Sequence, residues 1–362
     1  MRQSELDTFT WQAMPREAMV SWAGESWGVT VGRQIVAWGE GDAMSVLDLA
    51  TPKDMREPGL SDLDDVRMSV LATRIGWYPG QQRLELFWIH EAAFGLRNPP
   101  FGPFSPLEAL LDSALDGSPA MDLLLAKEDV RYAHQQERFS LESQQVLARW
   151  LHSGPGLDWG VTAGWVLDQQ GVVAFPDDVT PDVLEVPVEH KGYGVVGTTG
   201  AWGLGSWLLK WEGGVEIGRL WNVAPSPLSI DSAKANRVIT LVGATWTPYQ
   251  ELSLGFEMTK SWFLVDEPEG LLVNLNYPNV LLRLRWTALR ERLSVNAALG
   301  PPGPKLAHGW LARVDVGYEL VQGLALTVGG ITYNEGNELS PVSGLTSHDR
   351  IFLRVRWDFT LL

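Results

Sequence analysis

Charged residues fall at every second position within several apolar runs of this chain. Lys210, Glu212 and Glu216 alternate with Leu209, Trp211 and Val215, Glu257 lies between Phe256 and Met258, and Arg283 and Arg285 alternate with Leu282, Leu284 and Trp286. Arg313 and Asp315 interleave with Val314 and Val316, and Arg354, Arg356 and Asp358 with Leu353, Val355 and Trp357. On extended backbone this spacing sends apolar side chains to one face and charges to the other. Charges of both signs around a water-filled interior set up a transverse field, which orients dipolar solutes and sets ion preference. The arginines fall on alternate segments near the C-terminal end, separated by small residues such as Ser294, Asn296, Ala298 and Thr327. That arrangement predicts a cationic wall over wide space, faced across the pore by Glu212, Glu216 and Glu257. A second set, Arg33, Glu40, Asp42, Lys53, Asp54, Arg56, Asp62, Asp64 and Asp65, belongs to the first part of the chain. Its loop residues are expected to fold inward as a constriction. The alternative for both sets is mutual pairing that only solvates and stiffens the interior.

Other chemistries find little support. The acidic cluster offers hard oxygen donors of the kind calcium takes, but its spacing matches no EF-hand, so neither metal nor cofactor is expected. The chain contains no phosphate loop, no His-Glu-x-x-His and no Gly-x-Gly-x-x-Gly opening a helix. His90, His190 and Ser206 stand apart in sequence without a visible activating partner, so the chain is expected not to be an enzyme.

The elements that must carry the charges are strands. Arg350–Leu361 sets the pattern: Ile351, Leu353, Val355, Trp357, Phe359 and Leu361 share one face, and Phe352, Arg354, Arg356, Asp358 and Thr360 the other. A strand of about 10 residues with one apolar face is what a tilted crossing of a bilayer needs. The pattern recurs through Trp159–Leu167, Trp207–Glu216, Arg237–Thr247, Leu252–Met258, Leu282–Trp286, Leu293–Leu299, Arg313–Leu320 and Leu324–Val328. Connections alternate between tight ones near Gly203, Pro248, Arg290 and Gln322 and long ones near Trp221, Asp266, Pro301 and Asn337. That asymmetry is the habit of outer-membrane barrels.

Composition agrees. There are 18 Trp, 37 Gly and no Cys in 362 residues, with a net charge of -16. Indole rings suit the two interfaces of a membrane barrel. Absence of Cys removes disulfides and thiolate metal sites, and the acidic balance argues against nucleic acid as a partner. No apolar run reaches the ~18 residues of a spanning helix.

In chain order, strands are expected at Glu17–Trp22, at Trp27–Trp38 with a bulge near Gly32, at Arg67–Tyr78 and at Arg83–His90, with a long acidic loop over Gly39–Val66. Residues 91–155 form the longest departure, with helix-spaced apolar residues over Pro106–Leu115 and Leu141–Leu151 capped by Ser105 and Ser140. This segment is expected to be a partly helical loop that plugs the barrel or lies over it as a lid. A short strand is expected at Val172–Phe175.

The run Val31-Gly32-Arg33-Gln34-Ile35-Val36-Ala37-Trp38-Gly39-Glu40, then Val46-Leu47-Asp48 and Pro52-Lys53-Asp54-Met55-Arg56-Glu57, resembles a porin-like family of Gram-negative outer-membrane barrels of largely uncharacterised function. The acidic Asp62-Asp64-Asp65-Arg67 stretch and the closing Leu353-Arg354-Val355-Arg356-Trp357 fit the same family. The resemblance covers essentially the whole chain and is most specific in its first 70 residues. It implies an outer-membrane channel, often encoded near exporters and lipoproteins that handle lipids or other hydrophobic compounds, and it brings no catalytic residues. Such barrels usually end on an aromatic residue, whereas Thr360-Leu361-Leu362 follow Phe359 here.

The expectation is therefore an all-β protein, one transmembrane antiparallel up-and-down β-barrel over residues 1–362, with about 15 strands of an expected sixteen. Met1–Thr10 lacks the basic and apolar regions of a signal peptide, so a signal peptide and one strand are expected upstream. Expected partners are outer-membrane lipid, the barrel assembly machinery and envelope lipid-transport components. The leading function is a channel for small or hydrophobic solutes in a Gram-negative outer membrane. Two alternatives remain: a non-conducting barrel that hands a hydrophobic molecule across the envelope, and a soluble Trp-rich β protein that binds carbohydrate.

Overall fold

Among the described residues, fifteen strands pair in one antiparallel sheet that follows the chain's order, and three more form a small sheet. The structure is a computed structural model describing residues 15–358, apart from 43, 60–61, 101–103, 105–125, 175, 177, 227–228, 266, 273–276, 302, 304, 337–341 and 343–344. The strands are β1 Ala18–Ala23, β2 Trp27–Gln34, β3 Val70–Trp77, β4 Gln82–Ile89, β5 Asp129–His134, β6 Gln145–Gly154, β7 Leu157–Leu167, β8 Val172–Val173 and β9 Val183–Glu189. They continue as β10 Gly192–Leu204, β11 Trp207–Ser226, β12 Ser229–Tyr249, β13 Leu252–Phe263, β14 Asn279–Ala288, β15 Leu293–Gly300, β16 Trp310–Val321, β17 Leu324–Asn334 and β18 Arg350–Trp357. The small sheet has the order β5-β9-β8, with β5 and β9 parallel.

Alternation decides which way each strand faces. Along β4, Leu84, Leu86 and Trp88 are exposed while Glu85, Phe87 and Ile89 are buried, and β18 exposes Ile351, Leu353, Val355 and Trp357. A wall with Leu, Val and Trp outside and Glu and Arg inside is the reverse of a soluble sheet, and it is the surface a bilayer requires. Exposed indoles gather next to the tight turns: Trp22 and Trp27 flank one, Trp202 and Trp207 another, and Trp77, Trp159, Trp286 and Trp357 lie near others. There each ring can sit at headgroup level with its N–H in water. No helix among the described residues is long and apolar enough to cross a membrane.

Part of the chain packs on the inward face of the sheet. Residues 35–69 leave β2 and return to β3 across that face. Val36, Trp38, Val46, Leu47 and Ala50 of this segment bury themselves against Phe87 of β4, Leu147 of β6, Val195 of β10 and Leu241 of β12. Removing each of the larger of these side chains from water contributes about 2 kcal/mol. Further along, the segment reaches the far wall, where the Tyr333 hydroxyl of β17 donates to the Pro58 carbonyl at 2.7 Å. A four-residue helix, α1 (Leu63–Val66), then turns the chain back. Among the described residues β1 and β18 are the two edges of the sheet and do not pair with each other.

Several sequence expectations need correction. Leu141–Leu151 is not helical: a single 3-10 turn over Leu141–Ser143, capped by Ser140, leads into β6. Its apolar spacing looked helical because Leu147 points inward onto the packed segment while Val146 points out, so both faces of the strand carry apolar residues. Pro106–Leu115 lies outside the described residues, as do Met1–Thr10 and the last residues from Phe359. The expected bulge near Gly32 is absent, with β2 in unbroken register on both sides and ending at Gln34. The long connection expected near Trp221 is a hairpin instead: β11 and β12 stay paired beyond their neighbours, Trp221 opposite Ala233 and Val223 opposite Asp231. Asn222 exchanges side-chain hydrogen bonds with the Val173 backbone of β8, at 3.1 and 2.6 Å, which ties the small sheet to that hairpin.

Candidate functional site in the lumen

The inward segment divides the interior into two unlike halves. On the β2–β12 side the lumen is filled by the apolar cluster around Trp38 and Leu47. On the β13–β18 side a smaller apolar cluster of Ile331, Tyr333, Val342 and Leu345 closes the long-loop ends of β16 and β17, and nearer the tight turns the inward residues of β14–β16 are polar and the segment presents acids to them. Here lies a cavity of about 230 Å3, bordered by Asp62 of the segment, Arg283 and Arg285 of β14, Ser294 and Asn296 of β15, and Arg313 and Asp315 of β16.

Two wall carboxylates hold the segment in place. Glu212 of β11 is buried and accepts from the backbone N–H groups of Glu40 (2.7 Å), Gly41 (2.9 Å), Val46 (2.7 Å) and Leu47 (2.8 Å), and from the Ser45 hydroxyl at 3.0 Å. Glu257 of β13 accepts from the N–H of Asp42 at 2.5 Å and of Met44 at 3.1 Å. A loop bent this tightly leaves its amides without sheet partners, and an ionised carboxylate is the strongest acceptor a wall can offer them. Glu40 pays the electrostatic consequence. Burial, and after it the neighbouring Glu212, hold its carboxyl above the ordinary carboxylate range.

Acids of the segment then face the cationic wall. Asp42 lies 2.5 Å from Lys210 and 3.8 Å from Arg283. Asp62 lies 3.4 Å from Arg313, Glu57 3.7 Å from Arg350 and Asp65 3.9 Å from Arg354. Apart from the Lys210 contact these are long, water-accessible pairings. Arg313 is held more tightly by Asp315 of its own strand, at 2.7 Å, and Asp315 takes a further hydrogen bond from Asn296 at 2.8 Å.

The structure thus places most of the sequence-derived set in one lumen while redistributing the roles. Arg283, Arg285, Arg313 and Arg354 do stand on alternate strands over a floor of small residues. Glu212, Glu216 and Glu257 do not face them across open space. The partners of Glu212 and Glu257 are described above, and Glu216 is taken up by Arg219 at 2.9 Å and Arg237 at 2.7 Å, with Arg219 also 2.9 Å from Asp168. Arg33 belongs to β2, not to the loop, and pairs with the buried Glu91 at 2.7 Å. Asp54 is occupied by Arg56 two residues on, at 2.7 Å. Arg356 and Asp358 pair at 3.1 Å at the exposed tight-turn end, away from the cavity. The Asp64 side chain lies outside the described residues.

Sequence patterning missed other buried ions. Glu85 lies 2.7 Å from Arg149, which covers the Trp38 ring at 4.8 Å, and Asp48 lies 2.9 Å from Arg67. Alternation sets Glu85 apart from Leu84, Leu86 and Trp88, but Arg149 falls in Leu141–Leu151, which was expected to be helical, so nothing in the sequence says that the two oppose each other across β4 and β6. Glu57 stands outside any alternating run, and Arg350 opens the β18 run on the face of Arg354 and Arg356 without having been singled out.

No family model matches the chain, and no curated protein does. Solved structures do match. Pseudomonas aeruginosa OccK11 (OpdR) is similar over 89% of this chain and 76% of its own, at 9% identity and a TM-score of 0.47. Acinetobacter baumannii OccAB4 is similar over 88% and 70%, at 10% identity and 0.42. A mutant of the Rh. blastica porin is similar over 94% and 88%, at 11% identity and 0.41. At such identities and scores the fold rests on this chain's own strand pairing, and the site on its own geometry.

Proposed function

We propose that this protein is an outer-membrane channel of a Gram-negative bacterium, passing small polar solutes along the β13–β18 side of its lumen. One observation carries the proposal: an inward segment, fastened to the wall by Glu212 and Glu257, leaves a polar cavity between its acids and the arginines of β14 and β16. A barrel built only for rigidity has no use for a polar gap beside a fully packed half. Acids on one side and guanidinium groups on the other produce the transverse field of a selective constriction. The solute class favoured is small and dipolar, not hydrophobic, because the apolar half of the lumen is filled by the chain itself. Outer-membrane lipid would contact the exposed Leu, Val and Trp band, and the assembly machinery would insert the barrel. Among the described residues of 91–155, β5 belongs to the small sheet and β6 to the wall, and the constriction is made by the inward segment between β2 and β3.

Liposome swelling tests this reading. Proteoliposomes of the refolded chain, verified by heat-modifiable migration, should swell in glycine and in arabinose and progressively less in larger sugars. Absence of swelling even in glycine, from a barrel shown to be folded, would contradict it.

A further inference from the structure

Strand register lays the inward residues of β14, β15 and β16 out as a grid. Arg283, Ala298 and Arg313 form one row, and Arg285, Asn296 and Asp315 the next row toward the tight turns. Ser294 follows below Asn296 on β15. The β15 column is therefore short-chained and forms the floor of a trough whose sides are two strands apart, about 10 Å between backbones. This trough is the cavity of about 230 Å3.

Its charges are not all used. Arg313 is answered by Asp315 and Asp62. Arg285, by contrast, is exposed to the lumen and makes no ion pair or hydrogen bond among the described residues. Arg283 has its Nη1 shielded from solvent without a hydrogen-bond acceptor, and the nearest carboxylate to that atom, Asp42 at 3.8 Å, is already held by Lys210. A shielded guanidinium nitrogen without an acceptor costs free energy until an anion meets it. Two guanidinium groups two residues apart on one strand face point the same way. Their planar forks match a carboxylate in a way a lysine would not.

We propose that this trough is a binding subsite for small hydroxy- or amino-carboxylates, resting on the channel reading above. The carboxylate is held by Arg283 and Arg285, and the polar group on the adjacent carbon meets Ser294 and Asn296. Asp62 and Asp315 on the same rim disfavour multiply charged anions, so the subsite prefers a monocarboxylate to phosphate.

Saturation-transfer NMR on the refolded full chain tests this without requiring conduction. Lactate should give saturable transfer, whereas lactamide, its neutral isostere, should give little, and inorganic phosphate should displace lactate poorly. Arg285→Gln should weaken lactate binding at least tenfold, and Arg283→Gln comparably. Arg131→Gln, which removes the same charge from the small outer sheet, should leave it unchanged. Equal binding of lactate and lactamide would overturn the proposal, as would lactate binding that survives Arg285→Gln, a substitution at a lumen side chain on which no packing depends. A silent barrel that binds lactate as described would overturn the channel and leave the subsite standing. A conducting barrel that ignores lactate would do the reverse.

Discussion

Glu212 gathers the backbone amides of a whole loop, so its charge matters more than its volume. Glu212→Gln keeps the shape but turns one acceptor oxygen into a donor facing amide donors, leaving Val46 and Leu47 N–H groups buried without partners. Each such group costs about 1–3 kcal/mol. The segment should loosen while the barrel survives, giving a raised and noisier single-channel current at unchanged heat-modifiability. An unaltered current trace would show that the latch does not set the constriction. Glu85 and Glu185 offer a contrast in burial. Removing Glu85 strands Arg149, which is 8% exposed, and Glu85→Ala should cost about 3–5 kcal/mol, read as a lower urea midpoint. Glu185 pairs with Arg131 at 2.6 Å, but both are more than half exposed, so Glu185→Ala should cost under about 1 kcal/mol. Equal midpoints for the two variants would contradict the view that the β4–β6 ion pair is dry.

Among the elements, the small sheet on the long-loop side carries its own sensitivity to pH. His134 and His190 are 2.8 Å apart, Phe94 stacks on His190 at 3.6 Å, and the other His190 ring nitrogen meets the Asp168 carbonyl. Burial is the main reason the His190 pKa falls to about 4, with the Arg97 and His134 charges adding to it and Asp168 opposing. The ordinary histidine value is about 6.5, so between pH 6.5 and 4 the unfolded segment binds more protons than the folded one. Local stability is therefore full above pH 6.5 and falls as pH drops toward 4. Amide exchange over Val183–Glu189, corrected for its intrinsic pH dependence, should speed up between pH 7 and 5, and His190→Gln should reduce that dependence, the remainder coming from His134, which burial and then Arg97 also hold below the ordinary histidine value. No change in the parent would contradict the assignment. The same contrast between dry and wet surroundings explains what the sequence showed. On β14, β16 and β18 one face meets lipid and the other water, so alternation is clean and both strand and inward charge could be read directly. On β4, β6, β7 and β10 the inward face packs on residues 35–69, so Phe87, Leu147, Val166 and Val195 blur the period. That blurring is why β6 resembled a helix, and why the plugged half could not be anticipated. The acidic character of residues 40–65 did suggest an inward constriction, but its anchors, Glu212 and Glu257, had been expected to face the pore instead.

At the scale of the molecule, one uneven lumen accounts for the strand count, the indole-rich exterior, the buried loop and the charge layout. A packed half fixes the segment, and that segment in turn leaves the arginine side as the place where water and solute can pass. The unpaired Arg285 and half-satisfied Arg283 tip the balance of that side toward anions. The most direct test is planar-bilayer conductance with a reversal potential measured across a salt gradient. The account predicts ohmic steps, a reversal potential on the anion-preferring side, and a shift toward cations in Arg285→Glu. Silence from a demonstrably folded barrel, or a cation-preferring potential indifferent to Arg285→Glu, would contradict it.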